Sequence, residues 1–183
     1  MFEEAGGLGG YYDTYKGTWP RNIFNEFNIA DVTVPILGGD GEIKNIILRG
    51  QLDKIEMLEG SGVNVVDYKT GKPKSRREIE GETESSEGNI KRQLVFYKIL
   101  LDGSAKSDFK MKSGEIDFVE PNDRGIYKKE KFEVADAEIA ELLEVIKKSA
   151  QEIMGLTFWN DECKDDECEF CEMRKLMMSQ DNS

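Results

Sequence analysis

Two carboxylates and one amine are the side chains of this sequence best suited to chemistry. Asp53 lies in the segment Gly-Gln-Leu-Asp-Lys-Ile, and Asp67 and Lys69 lie in the later segment Val-Val-Asp-Tyr-Lys-Thr-Gly. Residues two apart in a strand share one face of the sheet, so Asp67 and Lys69 are expected to point to the same side. If the two segments pair across the Gly-rich turn at residues 59–62, Asp53 comes to lie near Asp67.

Such a set of side chains would suit a divalent metal ion. Mg²⁺ prefers oxygen ligands and retains several waters, so Asp53, Asp67 and the backbone carbonyl of Tyr68 would form a suitable site. The metal would lower the pKa of a bound water and stabilise charge on a phosphate, while Lys69 would orient that water or stabilise the transition state. The competing explanation is a solvated strand face, on which Asp and Lys form only weak ion pairs.

The alternation of apolar and polar residues predicts the strands that would position these side chains. We expect a meander of three antiparallel strands, because Gly-rich turns separate the apolar runs. These strands are predicted over residues 27–37, 43–58 and 63–69. A hairpin is predicted later in the chain, with strands over residues 111–120 and 125–134.

Apolar residues at helical spacing predict two helices. The first spans residues 90–101 and is capped by Asn89. The second is capped by Asp136 and ends at Gly155. Its buried face is expected to contain Ile139, Leu142, Leu143, Ile146, Ala150 and Ile153. The resulting order, β-β-β-α-β-β-α, indicates an α/β (α+β) fold.

Three segments carry no periodic pattern. Residues 1–25 are predicted to be a lead-in with no helix before residue 20, and residues 26–157 form the core. Residues 71–89 are rich in Gly, Ser and charge and are predicted to be a mobile loop within that core. The basic side chains at its start would either contact a nucleic-acid backbone or face solvent. Residues 158–183 form a tail that contains all the cysteines, and Phe158 and Trp159 in it are interpreted as packing residues.

Composition excludes several classes of protein. Among 183 residues there is no histidine, which excludes histidine-based triads and histidine-ligated zinc within the chain. The net charge of −12 argues against a stand-alone nucleic-acid binder, because contacts to phosphates supply most of that affinity. The sequence shows neither a signal peptide nor an apolar run that could span a bilayer. We therefore expect a cytoplasmic protein without a membrane partner.

The three cysteines are Cys163, Cys168 and Cys171. Their odd number and close spacing argue against a disulfide framework. Three thiolates within this short segment could bind an iron–sulfur cluster with a fourth, non-cysteine ligand, or a zinc ion. The alternative is a tail of reduced thiols without a metal.

Three motifs in this order resemble the RecB-like branch of the PD-(D/E)xK nuclease superfamily. They are Gly-x-x-Asp-Lys-Ile, Asp-Tyr-Lys-Thr, and a Gln-x-x-x-Tyr motif formed by Gln93 and Tyr97. The likeness is to nuclease domains at the C-termini of UvrD-, AddA- and AddB-type helicases and to CRISPR-associated exonucleases. It covers residues 26–101 well and the tail from Phe158 to Met177 less completely.

The resemblance implies a restriction-endonuclease-like core, with a central mixed sheet flanked by helices. It assigns metal binding to Asp53 and Asp67 and catalysis to Lys69. It also places Gln93 and Tyr97 on one helix face, from which they would reach the site or the DNA strand. The implied function is a Mg²⁺- or Mn²⁺-dependent deoxyribonuclease of the exonuclease type. Its partners would be single-stranded DNA and a helicase domain or subunit, in recombination or repair.

The sequence departs from the family pattern at both ends. Relatives carry a histidine ligand on a helix before the first strand, so we interpret this chain as a fragment or a shortened form. Glu26 precedes the predicted first strand, where relatives commonly have a glutamate. Many relatives hold a 4Fe–4S cluster with a Cys-x₂-Cys-x₅-Cys segment, which Cys168 and Cys171 begin but Met177 does not complete.

Two other functions remain open from the sequence. The missing histidine and the incomplete cysteine set favour a catalytically inactive module of the same fold, which would dock a helicase or a DNA strand. A small iron–sulfur or zinc protein unrelated to nucleases would explain the tail but not the three motifs.

Overall fold

A single five-stranded sheet with helices against it forms the body of the computed structural model, which describes residues 7–39, 41–157 and 168–180. The elements in chain order are α1 (Leu8–Tyr15), β1 (Ile23–Leu37), β2 (Ile43–Met57), β3 (Gly62–Lys69), α2 (Arg76–Glu80), α3 (Asn89–Gly103), β4 (Lys110–Phe118), β5 (Lys128–Phe132), α4 (Asp136–Gly155) and α5 (Glu169–Gln180). The predicted α+β class is confirmed. None of the described helices is both long enough and apolar enough to cross a bilayer.

The sheet is mixed, with its strands in the order β1-β2-β3-β4-β5. Antiparallel pairing joins β1 to β2, β2 to β3 and β4 to β5, so the predicted meander and the predicted hairpin are both present. The β3–β4 pair is parallel. Because parallel neighbours need a crossover, the chain passes through α2 and α3 between them. The carboxyl ends of β3 and β4 therefore lie at the same edge of the sheet.

Helix α3 packs closely on one face of this sheet. Leu94 and Leu100 of the helix are completely buried. A Cβ on Gly50 of β2 would lie 2.7 Å from the Leu100 side chain, and one on Gly114 of β4 would lie 2.9 Å from the Leu94 side chain. The two glycines therefore allow the helix backbone to approach the sheet, which fixes the height of α3 above the ends of the central strands.

The other face of the sheet is polar although much of it is buried. Asn64 of β3 donates a hydrogen bond to Glu56 of β2 at 2.9 Å and accepts one from Ser113 of β4 at 2.7 Å. Lys54 forms an ion pair with Glu56 at 2.8 Å. The strand register aligns Glu56, Asn64 and Ser113 across three neighbouring strands, so these polar groups satisfy one another.

Helix α1 corrects the prediction of no helix before residue 20. The Tyr11 side chain is buried, its hydroxyl donates a hydrogen bond to Asp117, and its ring contacts the ring of Tyr127 at a centroid distance of 5.7 Å. Lys129 also donates to Asp117, at 2.6 Å. A helix of this length is marginal by itself, so tertiary packing stabilises it, and that packing leaves no periodic pattern in the sequence.

Helix α2 interrupts the segment predicted to be a mobile loop at residues 71–89. Ser75 caps the helix through a hydrogen bond from the Glu78 N–H, and the Glu78 carboxylate accepts the Ser75 N–H. Ile79 is completely buried, and Gly81 ends the helix in the left-handed conformation. The capping box was present in the sequence, but a single apolar residue gives no periodicity to accompany it.

The two predicted helices, α3 and α4, begin close to their predicted caps. Gly88, with φ of 67°, occupies the N-cap of α3, and the predicted cap Asn89 is the first helical residue. Ala135 likewise takes the N-cap position predicted for Asp136. The expected apolar face of α4 is half-buried, because α4 lies outside α3 and has no fully buried residue. Its last member, Ile153, is 63% exposed and does not belong to the buried face.

Candidate active site

The carboxyl end of β3 carries Asp67 and Lys69. The preceding residues of this strand are buried, and the strand lies between β2 and β4 at the centre of the sheet. Lys54 of β2 pairs with Val66, so Asp53 lies one step further along, beside Asp67. The Asp53 carboxylate accepts the backbone N–H of Tyr68 at 2.9 Å. The hydrogen bond ties the end of β3 to the carboxylate on β2.

Four side chains form a closed ring of contacts between β3 and α3. Lys69 Nζ lies 2.6 Å from Asp67 Oδ2 and donates a hydrogen bond to Gln93 Oε1, also at 2.6 Å. Gln93 Nε2 donates to the Tyr97 hydroxyl at 2.6 Å, and that hydroxyl donates to Asp67 Oδ1 at 3.2 Å. Each member therefore has two neighbours, which holds the Lys69 ammonium in place.

Burial dominates the electrostatics of this ring. The Asp67 side chain is 1% exposed, and burial raises its pKa above the ordinary value. Lys69 opposes this shift, whereas the nearby charge of Asp53 adds to it. Burial and the Asp67 charge also raise the pKa of Tyr97, so its hydroxyl stays protonated and remains a donor. The buried negative charge of Asp67 is thus unfavourable, and a bound cation would stabilise it.

The spacing on α3 explains how two of these residues reach the strand. Gln93 and Tyr97 lie four apart and project from one side of the helix. Leu94 and Leu100 anchor the same helix to the sheet, as described above. Tertiary packing of the apolar face therefore sets the position of the two polar side chains.

Glu26 lies inside β1, which corrects the expectation that it precedes the first strand. Its φ is 52°, in the left-handed region that non-glycine residues rarely adopt. The residues on either side of it pair with Leu52 and Lys54, so Glu26 interrupts β1 directly opposite Asp53. Such a conformation costs about 1–3 kcal/mol and is concentrated at functional sites. Nothing in the sequence signalled this irregularity.

The structure brings five predicted site residues to one end of the sheet: Asp53, Asp67, Lys69, Gln93 and Tyr97. The backbone of Tyr68 lies at the site, but its side chain does not. Its backbone N–H joins the site, whereas its ring lies 5.3 Å from the Lys54 ammonium, a residue of the opposite face. The catalytic and metal-binding roles of these residues stay predictions.

The donor set suits a hard divalent cation. Asp53 and Asp67 offer carboxylate oxygens, and the Tyr68 carbonyl is the third candidate ligand. Within the described residues no group of three or more Cys, His, Asp and Glu side chains could hold a metal. Mg²⁺ usually keeps several waters and is bound through only one or two carboxylates.

Only part of the predicted iron–sulfur or zinc site in the tail lies within the described residues. Cys163 lies outside the described residues, as do Phe158 and Trp159. Cys168 and Cys171 are half-buried at the start of α5 and form no disulfide with each other. The described geometry therefore does not test the binding of an iron–sulfur cluster or zinc ion.

Comparisons with known proteins address the fold and the family. No curated protein matches the chain. Among solved structures, 18 chains match. One of them, described as "Crystal structure of SSO0001", is 19% identical over 78% of this chain, with a TM-score of 0.42. The match spans 56% of that protein, little more than half its length.

A family model matches most of the sequence. The model described as "PD-(D/E)XK nuclease superfamily" matches residues 11–176. That range includes both carboxylates, the lysine and the Gln-x-x-x-Tyr helix. The chain belongs to the PD-(D/E)XK nuclease superfamily.

Proposed function

We propose that this chain is a nuclease domain that hydrolyses phosphodiester bonds of DNA with the help of Mg²⁺ or Mn²⁺. The observation that carries the proposal is the closed ring of Asp67, Lys69, Gln93 and Tyr97, with Asp53 on the neighbouring strand. The Asp67 carboxylate and the Gln93 amide hold the Lys69 ammonium, and Tyr97 bonds both of these groups. A catalytic ammonium needs such positioning.

Each side chain has a distinct task in this mechanism. Asp53, Asp67 and the Tyr68 carbonyl would hold the cation, which supplies Lewis-acid stabilisation of the phosphate and lowers the pKa of a bound water. Lys69 is 26% exposed and can reach that water or a phosphate oxygen. Asp67 and Gln93 hold the Lys69 ammonium in place. Lys69 therefore needs little reorientation to stabilise the negative charge that develops on the phosphate.

The order of the three motifs supports a finer assignment to the RecB-like branch. We infer that the domain works as an exonuclease on single-stranded DNA, coupled to a helicase domain or subunit in recombination or repair. The net charge of −12 supports the need for a partner, since a strongly acidic chain attracts DNA poorly by itself. In this arrangement the partner delivers the strand to the carboxyl end of β3, where Asp67 and Lys69 lie beside Asp53 of β2.

Cleavage of end-labelled single-stranded DNA in Mn²⁺ tests the proposal. We expect the wild type to cut and Asp53→Ala and Asp67→Ala to lose activity. Asp102→Ala is the matched control, because Asp102 also forms a carboxylate–lysine pair, with Lys98 at 2.8 Å, at the far end of α3. Equal cleavage by wild type and Asp67→Ala would contradict the proposal.

An inactive module that docks DNA or a helicase is the second candidate. The absence of histidine from the sequence favours it, together with the incomplete cysteine motif of the tail. This alternative predicts DNA or partner binding without cleavage in either Mg²⁺ or Mn²⁺.

A further inference from the structure

An apolar groove runs between α3 and α4 next to the candidate active site. It has a volume of about 290 Å³ and is open to solvent. Its apolar walls are Phe96 of α3 and Leu142 and Ile146 of α4. The polar residues Asn89, Arg92 and Gln93 complete its lining. A groove in which an aromatic side chain faces two aliphatic ones can accommodate a flat, weakly polar group.

Gln93 belongs to both the groove and the active-site ring. Its amide oxygen accepts the Lys69 ammonium at 2.6 Å, while the same residue lines the groove. Gln93 therefore lies between the groove and the position at which a phosphate would meet Lys69. A group bound in the groove would be attached to the polymer being cut, within a short distance of the scissile bond.

Arg92 provides a fixed cation at the groove. Its guanidinium donates to Asn89 Oδ1 at 2.7 Å and to the Glu87 carbonyl at 3.1 Å. The side chain is exposed, so its remaining N–H groups can contact a phosphate. The wall opposite α4 is also held, because Phe96 packs against the hydrophobic core. The groove is thus a supported site with one positive charge.

We propose that this groove binds one unpaired nucleobase of the DNA strand that the active site cuts. The inference rests on the proposed nuclease function. A base would stack on Phe96 between the aliphatic side chains of α4, and Arg92 would contact the backbone. A base inside a duplex cannot enter without leaving its stack, so the groove would favour a single strand over a duplex.

Binding of base-free DNA tests this proposal. Fluorescence anisotropy would compare labelled oligothymidylate with an abasic oligomer of the same length, and all proteins would carry Asp67→Asn to prevent cleavage. We expect the abasic oligomer to bind about 5- to 100-fold more weakly. Phe96→Leu keeps an apolar side chain but removes the aromatic face, and Ile146→Gln alters the opposite wall. Both should bring the affinity ratio toward one while leaving the abasic affinity unchanged.

Val145→Gln is the matched control, because Val145 is 53% exposed and does not line this groove. It should show the same ratio of affinities for the two oligomers as the Asp67→Asn parent. A ratio near one in that parent, or an unchanged ratio in both groove variants, would overturn the base-binding site and leave the nuclease proposal standing. Failure of the parent to bind either oligomer would also overturn the base-binding site, whereas the nuclease proposal is tested separately by the cleavage assay. Thermal melting of each variant identifies any that fail to fold.

Discussion

The Lys69 ammonium lies 2.6 Å from the amide oxygen of Gln93, so a residue at the end of β3 is held by a residue of the crossover helix. Helix α3 reaches this position because Gly50 and Gly114 admit Leu100 and Leu94 close to the sheet. The contact therefore links the packing of the core to the position of the candidate catalytic lysine.

We expect Gln93→Leu to lower the cleavage rate by about 10- to 100-fold, since a shift of a catalytic group by about 1 Å can cost a hundredfold. The loss should appear mainly in kcat, because Lys69 keeps its charge and its partner Asp67. Single-turnover cleavage would measure it. Gln151→Leu on α4 is the control, since the Gln151 amide donates a hydrogen bond to the Leu37 carbonyl at the end of β1, at 3.0 Å. Equal losses in the two variants would contradict a positioning role.

Asp67→Asn should stabilise the metal-free protein at neutral pH while abolishing cleavage. Burial raises the pKa of Asp67, so its ionised form is less favourable in the folded chain than in the unfolded chain. The stabilising effect should decrease as the pH falls through the raised pKa, because wild-type Asp67 then becomes neutral as well. Thermal melts in EDTA across this pH range would measure it.

The same melts in Mn²⁺ complete the test of Asp67. A metal that binds only the folded state raises the melting temperature by mass action, so the wild type should gain stability and Asp67→Asn should gain much less. A lower melting temperature for Asp67→Asn in EDTA at neutral pH would contradict the unfavourable burial of this charge.

Two glutamates on the opposite face of the sheet should respond in opposite directions. Glu56 and Glu115 are similarly exposed, at 17% and 16%. Burial alone would raise the pKa of Glu56, but hydrogen bonds from Lys54 and Asn64 hold it below the ordinary value. Burial raises the pKa of Glu115, and the charge of Lys129 only partly opposes it.

Glu56→Gln should therefore destabilise the fold at neutral pH, by roughly 1–3 kcal/mol, whereas Glu115→Gln should stabilise it. The contribution of Glu56 is present above its unfolded pKa and is lost as the pH falls through its lower folded value. For Glu115 the favourable contribution is lost as the pH rises through its raised folded pKa. Denaturant unfolding at pH 7 and at acidic pH would measure both, and a shift in the same direction for both variants would contradict this assignment.

Tyr11→Phe should loosen helix α1. The change removes the hydroxyl that donates to the buried Asp117 carboxylate, whose other oxygen has no hydrogen-bond partner among the described residues. We expect a loss of about 1–3 kcal/mol and faster amide hydrogen exchange in α1. Tyr12→Phe is the control, because the Tyr12 side chain is 53% exposed. Unchanged exchange in α1 would show that the aromatic contacts alone hold the helix.

Periodicity located the elements that are amphipathic along their length. Strands β1 to β3 and helix α3 carry regular apolar patterns, and their predicted positions agree with the structure to within a few residues. Helices α1 and α2 were missed because each is short and is held by one buried side chain, Tyr11 and Ile79 respectively. A single tertiary contact leaves no pattern in the sequence.

The candidate site was predictable as far as motifs and alternation allowed. The spacing of Asp67 and Lys69 put both on one face, and the order of the motifs brought in Gln93 and Tyr97. The left-handed conformation of Glu26 opposite Asp53 had no sequence signal. The groove at Phe96 also could not be anticipated, because the way α4 lies against α3 sets its width.

The cleavage rate of Lys69→Ala in Mn²⁺ tests the central claim most directly. Lys98→Ala is its matched control, since Lys98 is a partly buried lysine on α3 that pairs with Asp102 at 2.8 Å. We expect Lys69→Ala to cleave at least about 100-fold more slowly than the wild type, which is the loss caused by removing one electrostatic contact to the transition state. Lys98→Ala should cleave at close to the wild-type rate. Cleavage by Lys69→Ala at the wild-type rate would contradict a catalytic role for Lys69.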